Sequence, residues 1–272
     1  MNYERKEKLA ELIRSKLFMA LAILITVDCA FTVLNNAVQN GIFSIAFCAI
    51  PVLMAIGVWT FHNSTKTGNY KAYSFAFMKI HPIALGVIFI IGAVACLILL
   101  LTANLILTES SKLIEQIENG SLLTDKQRSI AMYKEIFGIE FAEGGIYSAA
   151  DHSILCTYDQ LRAFIKDVAP ALLYGGSAVG ILVLSYMAFF SFRVSKAVNS
   201  LRNAVMFGYD EPVKTGLLSV TLYILGGLSF AATVTMIISG AAGVLGIVQN
   251  LVNCAVMIIA AIIYGRIKDI TE

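Results

Sequence analysis

The chain has 272 residues, of which 58% are hydrophobic and only 14% charged, and its mean hydropathy is +0.79. A soluble domain carries roughly 25% charged residues, so this composition excludes a water-soluble globule and specifies a membrane protein. The net charge of +2, from 20 basic and 18 acidic residues, is too balanced for a nucleic-acid binder and leaves the placement of charge as the informative quantity.

At the amino terminus, residues 1–16 place Leu9, Leu12, Ile13 and Leu17 at helical spacing among Arg5, Lys6, Lys8, Arg14 and Lys16. This pattern predicts an amphipathic helix lying against anionic lipid. Six windows then reach the roughly 20 apolar residues that cross about 30 Å of hydrocarbon: 17–38, 42–61, 82–107, 170–192, 216–238 and 242–265. The first of them also fits the length of a secretory signal. Its apolar run continues past Asp28 to Leu34, however, and no small-residue cleavage site follows, so a retained anchor is expected. Pro51 is expected to kink the second span.

Lysine and arginine alternate along the chain. The segment before Leu17, residues 62–81, residues 193–215 and the tail after Gly265 hold 14 of the 20, and the two hairpin breaks within the outer pairs of spans hold none. The positive-inside rule then places both termini in the cytoplasm of a cell-membrane protein. Residues 108–169 face outward; they carry six basic and ten acidic residues, and long loops translocate regardless of charge.

That outer insertion contains two capping-box sequences, Thr124 to Gln127 and Thr157 to Gln160, each ahead of an apolar stripe. Ile130, Tyr133, Ile136 and Phe137 line one predicted helix, and Tyr158, Leu161, Phe164, Ile165 and Val168 the other. A third helix continues the third span through Leu113, Ile114 and Ile117. The stretch "EFAEGGIYSAADHS" reads as a connector turning at Gly144 and Gly145. Asn119-Gly-Ser is a glycosylation tripeptide, relevant only in a eukaryotic secretory route. A lid of about 60 residues is close to the lower limit for an independent core, so it is expected to pack on the bundle or on a protein partner.

The sequence thus predicts an all-α polytopic membrane protein: an amphipathic helix over 1–16, three transmembrane helices in 17–107, a small helical extracytoplasmic insertion at 108–169, three more transmembrane helices in 170–265 and a tail at 266–272. Inverted three-span repeats of the transporter kind find no support, because loop lengths mirror about the middle instead of repeating.

Asp28 is the one charged residue deep in any span. It lies 11 residues beyond Leu17, about 16 Å along a helix and near the bilayer midplane. An ionised carboxylate there costs at least about 2.5–3.5 kcal/mol, so it must face protein or water. Asp28, Thr32, Asn35 and Gln39 recur at four, three and four residues on one helix face, and Gln249, Asn250 and Asn253 form a matching set at the same depths in the last span. These seven residues are the candidate binding seam. Asn104, Ser229 and Thr233 are possible additions to it.

Two readings follow. One makes Asp28 a proton or cation site in a polar cavity, and the other makes the seam interhelical hydrogen-bond glue, worth about 0.6 kcal/mol per bond. Gly176 and Gly180, and Gly240, Gly243 and Gly246, have the spacing of close helix contacts.

Enzymatic readings lack their parts. No span pairs two histidines or two carboxylates, His62 and His81 fall in or beside the second loop, and the set Asp151, His152 and Cys156 is a thin metal signature. Five cysteines, spread one per segment, make no disulfide framework within the insertion. The expected function is therefore a non-enzymatic, permease-like component for a small solute or ion, without a cofactor. The alternative is an accessory or immunity subunit whose insertion or cytoplasmic loops dock a protein.

Overall fold

The structure, a computed structural model, describes residues 3–40, 48–118, 138–142, 144–208, 212–240 and 243–271, with side chains omitted at 36–40, 117–118 and 141–142. Helices α1 (Tyr3–Arg14), α2 (Lys16–Asn40), α3 (Ala49–Thr67) and α4 (Ala72–Glu118) precede three short strands, β1 (Ile139–Ala142), β2 (Gly145–Ser148) and β3 (Ile154–Thr157). Helix α5 (Tyr158–Ala163) leads through wider π-helical turns at Phe164–Val168 and Ala171–Gly176 into α6 (Ser177–Arg202), which ends in another at Asn203–Phe207. Helices α7 (Gly216–Ser239) and α8 (Val244–Thr271) complete the chain.

Among the described residues five stretches are long and apolar enough to span a bilayer: Lys16–Asn35, Ala72–Gln116, Ala171–Phe207, Gly216–Ser239 and Val244–Thr271. At most 28% of any of these windows is buried inside the protein. Side chains such as Ile91, Leu101, Leu182, Leu228 and Ile238 stand open, which a soluble monomer does not sustain over such areas. Hydrocarbon covers them, so the chain is a multi-pass membrane protein. The expected second span, 42–61, is not among the five. Residues 41–47 lie outside the described set, and α3 ends in the polar run His62–Lys66. Pro51 falls in the first turn of α3, where its missing N–H costs nothing, and not in mid-helix.

The chain divides into two compact units, Met1–Ile88 with Met187–Glu272 and Phe89–Tyr186. In the first, the packed core lies where the ends of the helices nearest the two termini converge. Leu9, Ile13, Phe18, Ala22, Phe61, Phe75, Leu201, Val213, Leu218 and Ile267 are buried together there. The amphipathic stripe of α1 is part of this core: Leu9 is 0% and Ile13 1% exposed, so the helix expected on the lipid surface is packed on protein instead.

Polar groups bind α1 to α3. The Arg14 guanidinium donates twice to the Thr65 carbonyl, at 2.9 and 2.7 Å, and so caps the end of α3. His62, expected at a loop, is buried on α3 with Nδ1 2.7 Å from the Ile13 carbonyl, stacked on Phe18 and met edge-on by Trp59. Gly68 closes α3 at φ 70°, a left-handed conformation that a glycine adopts without strain. Ser15 separates α1 from α2: its hydroxyl donates to the Leu12 carbonyl at 2.6 Å and accepts the Phe18 N–H at 3.3 Å.

In the second unit α4 and α6 pack antiparallel. A methyl at Gly180 would sit 2.8 Å from the Cys96 sulfur, and the Tyr174 hydroxyl donates to Asn104 Oδ1 at 2.5 Å. Gly176, expected as the partner of Gly180 in a helix contact, faces nothing within 4 Å. Helix α4 has 47 residues, about 70 Å of helix, and outruns a 30 Å hydrocarbon core, as the predicted extension through Leu113 and Ile114 requires.

The insertion departs from the all-helical expectation. Residues 139–157 form an antiparallel meander in the order β1-β2-β3, with Ile139 opposite Ser148, Ala142 opposite Gly145 and a bulge at Ile146/Tyr147. The predicted capping box at Thr157 forms as expected: the Gln160 N–H donates to Thr157 Oγ1 at 3.2 Å, and the Thr157 N–H donates to Gln160 Oε1 at 3.0 Å. Ile114 and Tyr158 are buried together with Ile146, Leu161 and Ile165 packed around them, and that burial pushes the Tyr158 phenol above its ordinary range. The first box, Thr124–Gln127, its stripe and the Asn119 tripeptide lie outside the described residues.

Candidate functional site

Asp28 sits midway along α2, a helix whose buried face carries Leu21, Ala22, Ile25 and Cys29. Its Oδ1 is shut from solvent and has no hydrogen-bond partner among the described residues. Among the described residues one other buried side-chain atom shares that condition, Nε of Arg202. An unpaired buried polar group costs roughly 1–3 kcal/mol, so this carboxylate is held where stability alone would not put it.

The polar residues above Asp28 are engaged elsewhere. The Thr32 hydroxyl turns back along its own helix and donates to the Asp28 backbone carbonyl at 3.0 Å. One turn further, Asn35 Nδ2 donates to Gln249 Oε1 of α8 in a short hydrogen bond. The two predicted seams therefore meet at Asn35 and Gln249. Asn250 does not join them: its amide points across to α7 and donates to the Met236 sulfur at 3.4 Å. Asn253, expected at the depth of Asp28, is half-buried, and it leaves Asp28 Oδ1 unpartnered. The side chain of Gln39 lies outside the described residues. The Thr233 hydroxyl is spent on the Ser229 carbonyl within α7, and Asn104 is held by Tyr174 in the second unit.

A groove between α2 and α3, about 580 Å³ in volume and without a signature in the sequence pattern, is lined by Cys29, Ala30 and Val33 on one side and Val52, Ile56 and Trp59 on the other. The Trp59 indole N–H donates to Thr26 Oγ1 at 2.9 Å and fixes one end of it. Its walls are mainly apolar. The aromatic and β-branched residues of α3 that form them read in the sequence only as an ordinary span.

The thin metal signature in the insertion dissolves into other contacts. His152 Nδ1 lies 3.2 Å from Glu140 Oε2 across the sheet, and the Cys156 thiol donates back to the Thr157 carbonyl at 3.4 Å. Among the described residues no three His, Cys, Asp or Glu side chains converge on a common point. The site amounts to one carboxylate with an unfilled hydrogen-bonding capacity, roofed by an amide pair that ties α2 to α8. Such a group can take up a proton or a small cation. Compared with protein-family models, characterised proteins and solved structures, the chain finds no match.

Proposed function

We propose that this protein is a non-enzymatic, permease-like membrane component that moves or senses a small solute or ion, with Asp28 as the coupling carboxylate. The observation that carries the reading is the buried, unpartnered Asp28 Oδ1 in the middle of an apolar helix. Ionisable groups retained within membranes mark ion and substrate paths, and a carboxylate serving only as glue would hold a partner. The Asn35–Gln249 bond above it supports a protein-facing, not lipid-facing, side of α2. Both termini lie on the cytoplasmic side in this reading, on the strength of the distribution of Lys and Arg.

A second reading, an accessory subunit that docks a protein through the insertion, is favoured by Ile154 and Leu155, which stand 53% and 56% exposed on the outer strand β3. Among the described residues no strand pairs with the outer edge of β3, and such an edge with apolar side chains is a template for another chain.

The test is flux into proteoliposomes carrying a pH-sensitive dye or, separately, Na⁺ and K⁺ reporters, with wild type beside Asp28→Asn. Asn keeps hydrogen bonding and removes titration. Wild-type flux that Asp28→Asn abolishes is the expected result. Flux that is absent, or equal in the two proteins, rejects Asp28 as a coupling group for these ions. A cellular phenotype lost on deleting residues 138–157 but kept in Asp28→Asn favours the docking subunit.

A further inference from the structure

A second cavity, of about 430 Å³, opens at the end of the bundle that carries both termini, and Arg193, Lys196, Ala197, Ser200, Pro212 and Lys214 line it. Small-molecule sites run from about 300 to 1,000 Å³, so it is large enough for a ligand. From its form and charge we propose that it binds the phosphate group of an anionic ligand at the membrane surface.

The sequence builds one wall by periodicity. Arg193, Lys196, Ala197 and Ser200 are spaced three, one and three, which puts them on a single face of α6 just beyond the apolar run that ends at Phe192. The other wall is the connection into α7, where Lys214 precedes the first helical residue, Gly216, by two positions. All three cations therefore sit where apolar helices emerge from hydrocarbon, the level of phospholipid phosphates.

The cavity holds three positive charges and no carboxylate among its lining residues. None of the three cations is in an ion pair with a described residue, although Lys8 and Lys112 elsewhere are. Its walls are also fixed. Val213 is 1% exposed, and its N–H donates to Thr271 Oγ1 at 3.3 Å, while the Thr215 hydroxyl donates to the Tyr264 carbonyl at 2.7 Å. These bonds clamp both sides of Lys214 to the end of α8. The Arg193 guanidinium is held 5.3 Å from the centre of the Phe189 ring. A planar guanidinium matches two phosphate oxygens, the ammonium groups supply charge, and the Ser200 hydroxyl supplies one more donor.

A phosphate in this place comes either from a lipid headgroup or from a soluble phosphate ester. Purified full-length protein in neutral detergent is titrated with phosphatidylglycerol, phosphatidylcholine, glycerol 3-phosphate and inorganic phosphate, and bound ligand is counted by native mass spectrometry. The variants are Arg193→Gln, Lys196→Gln and Lys214→Gln, singly and together. Asp210 and Glu211, which precede Pro212, are retained in all of them. The control is Lys66→Gln with Lys71→Gln, two exposed cations at the same end outside the cavity.

Saturable binding of phosphatidylglycerol over phosphatidylcholine, weakened about fivefold for each cavity charge removed and unchanged in the control, is the expected result for a lipid source. Equal binding of glycerol 3-phosphate or inorganic phosphate, with the same dependence on the cavity cations, assigns the site to a soluble ligand. Equal losses in cavity and control variants mean diffuse attraction of basic helix ends to anionic lipid and overturn the site, as does a wild type that prefers no phosphate probe. Lys214→Gln, on an exposed connecting residue, reports binding even if Arg193→Gln disturbs the fold.

Discussion

Replacing Asp28 with leucine separates the two meanings of an acid in a membrane helix, because they predict opposite signs. In the structure Oδ1 of Asp28 is buried and accepts no hydrogen bond from a described residue. The nearby donors are committed, Thr32 to the Asp28 backbone carbonyl and Asn35 to Gln249. Leucine, although larger, removes the unsatisfied group and leaves those two bonds in place. The desolvation penalty relieved is roughly 1–3 kcal/mol, so Asp28→Leu should be more stable by about that amount while any flux is lost, as expected where stability is given up for function. Reversible unfolding in mixed micelles provides the assay. Trp59, the only tryptophan in the chain, bonds across from α3 to Thr26 on α2 and reports the packing beside Asp28 by its fluorescence. If Asp28→Leu is instead destabilised by about 0.6 kcal/mol or more, the size of an interhelical hydrogen bond in a bilayer, the carboxylate holds the helices together and the functional reading fails.

Other consequences can be checked in the same preparations. A methyl group at Gly57 would lie 2.8 Å from the Ser74 carbonyl oxygen and 2.9 Å from the Met78 nitrogen; both are backbone atoms of α4 that cannot swing aside, so Gly57→Ala should cost about 1–3 kcal/mol in the unfolding assay. Arg14→Ala removes the double cap on the Thr65 carbonyl and should cost about 1 kcal/mol, modest for a charged donor because the guanidinium is partly solvated. In the insertion, hydrogen bonds from Ser148 and Ser153 hold the Asp151 carboxyl below the usual carboxylate range. The depressed value means that the ionised acid stabilises the β2–β3 turn at neutral pH, and that this contribution disappears as pH falls through the folded-state value. The protection factor of the Ser153 amide, corrected for the intrinsic pH dependence of exchange, should therefore fall in acid in the wild type and show no such step in Asp151→Asn.

The features legible in the sequence are those in which a long period or a strong local motif leaves no competitor. Five of the six apolar windows, the extension of α4 beyond the membrane and the capping box at Thr157 belong here, because each follows from spacing that a helix satisfies. Matched depths set Gln249 at the level of Thr32, whereas the bond between the two stripes forms one turn further, at Asn35. Asn250 was misplaced because adjacent residues on a helix diverge by about 100°, which turns its amide toward Met236. The meander has no signature in the sequence because four-residue strands such as "GIYS" and "ILCT" are too short to show alternation, and the neighbouring capping boxes favour helix. His62 and Thr65 look like loop residues by polarity. Only tertiary structure shows that a guanidinium and a carbonyl from the α1 region satisfy the polar end of α3. The cationic cavity was hidden for a related reason: Lys214 is remote in sequence from the Arg193 stripe, and hydrogen bonds to α8 bring it there.

The polar side of α2 facing α8 underlies everything said of Asp28, and cysteine cross-linking reads that arrangement in a membrane. In a background with the five native cysteines replaced, cysteines at positions 35 and 249 should be joined by a short bifunctional thiol reagent that spans the reach of the native side chains hydrogen-bonded there. Leu34, 52% exposed on another face of α2, supplies the negative pair with 249. Cross-linking of 35 with 249 and not of 34 with 249 is the predicted outcome. The reverse pattern, or equal failure of both pairs, would turn the Asp28 face away from the last helix and contradict the site.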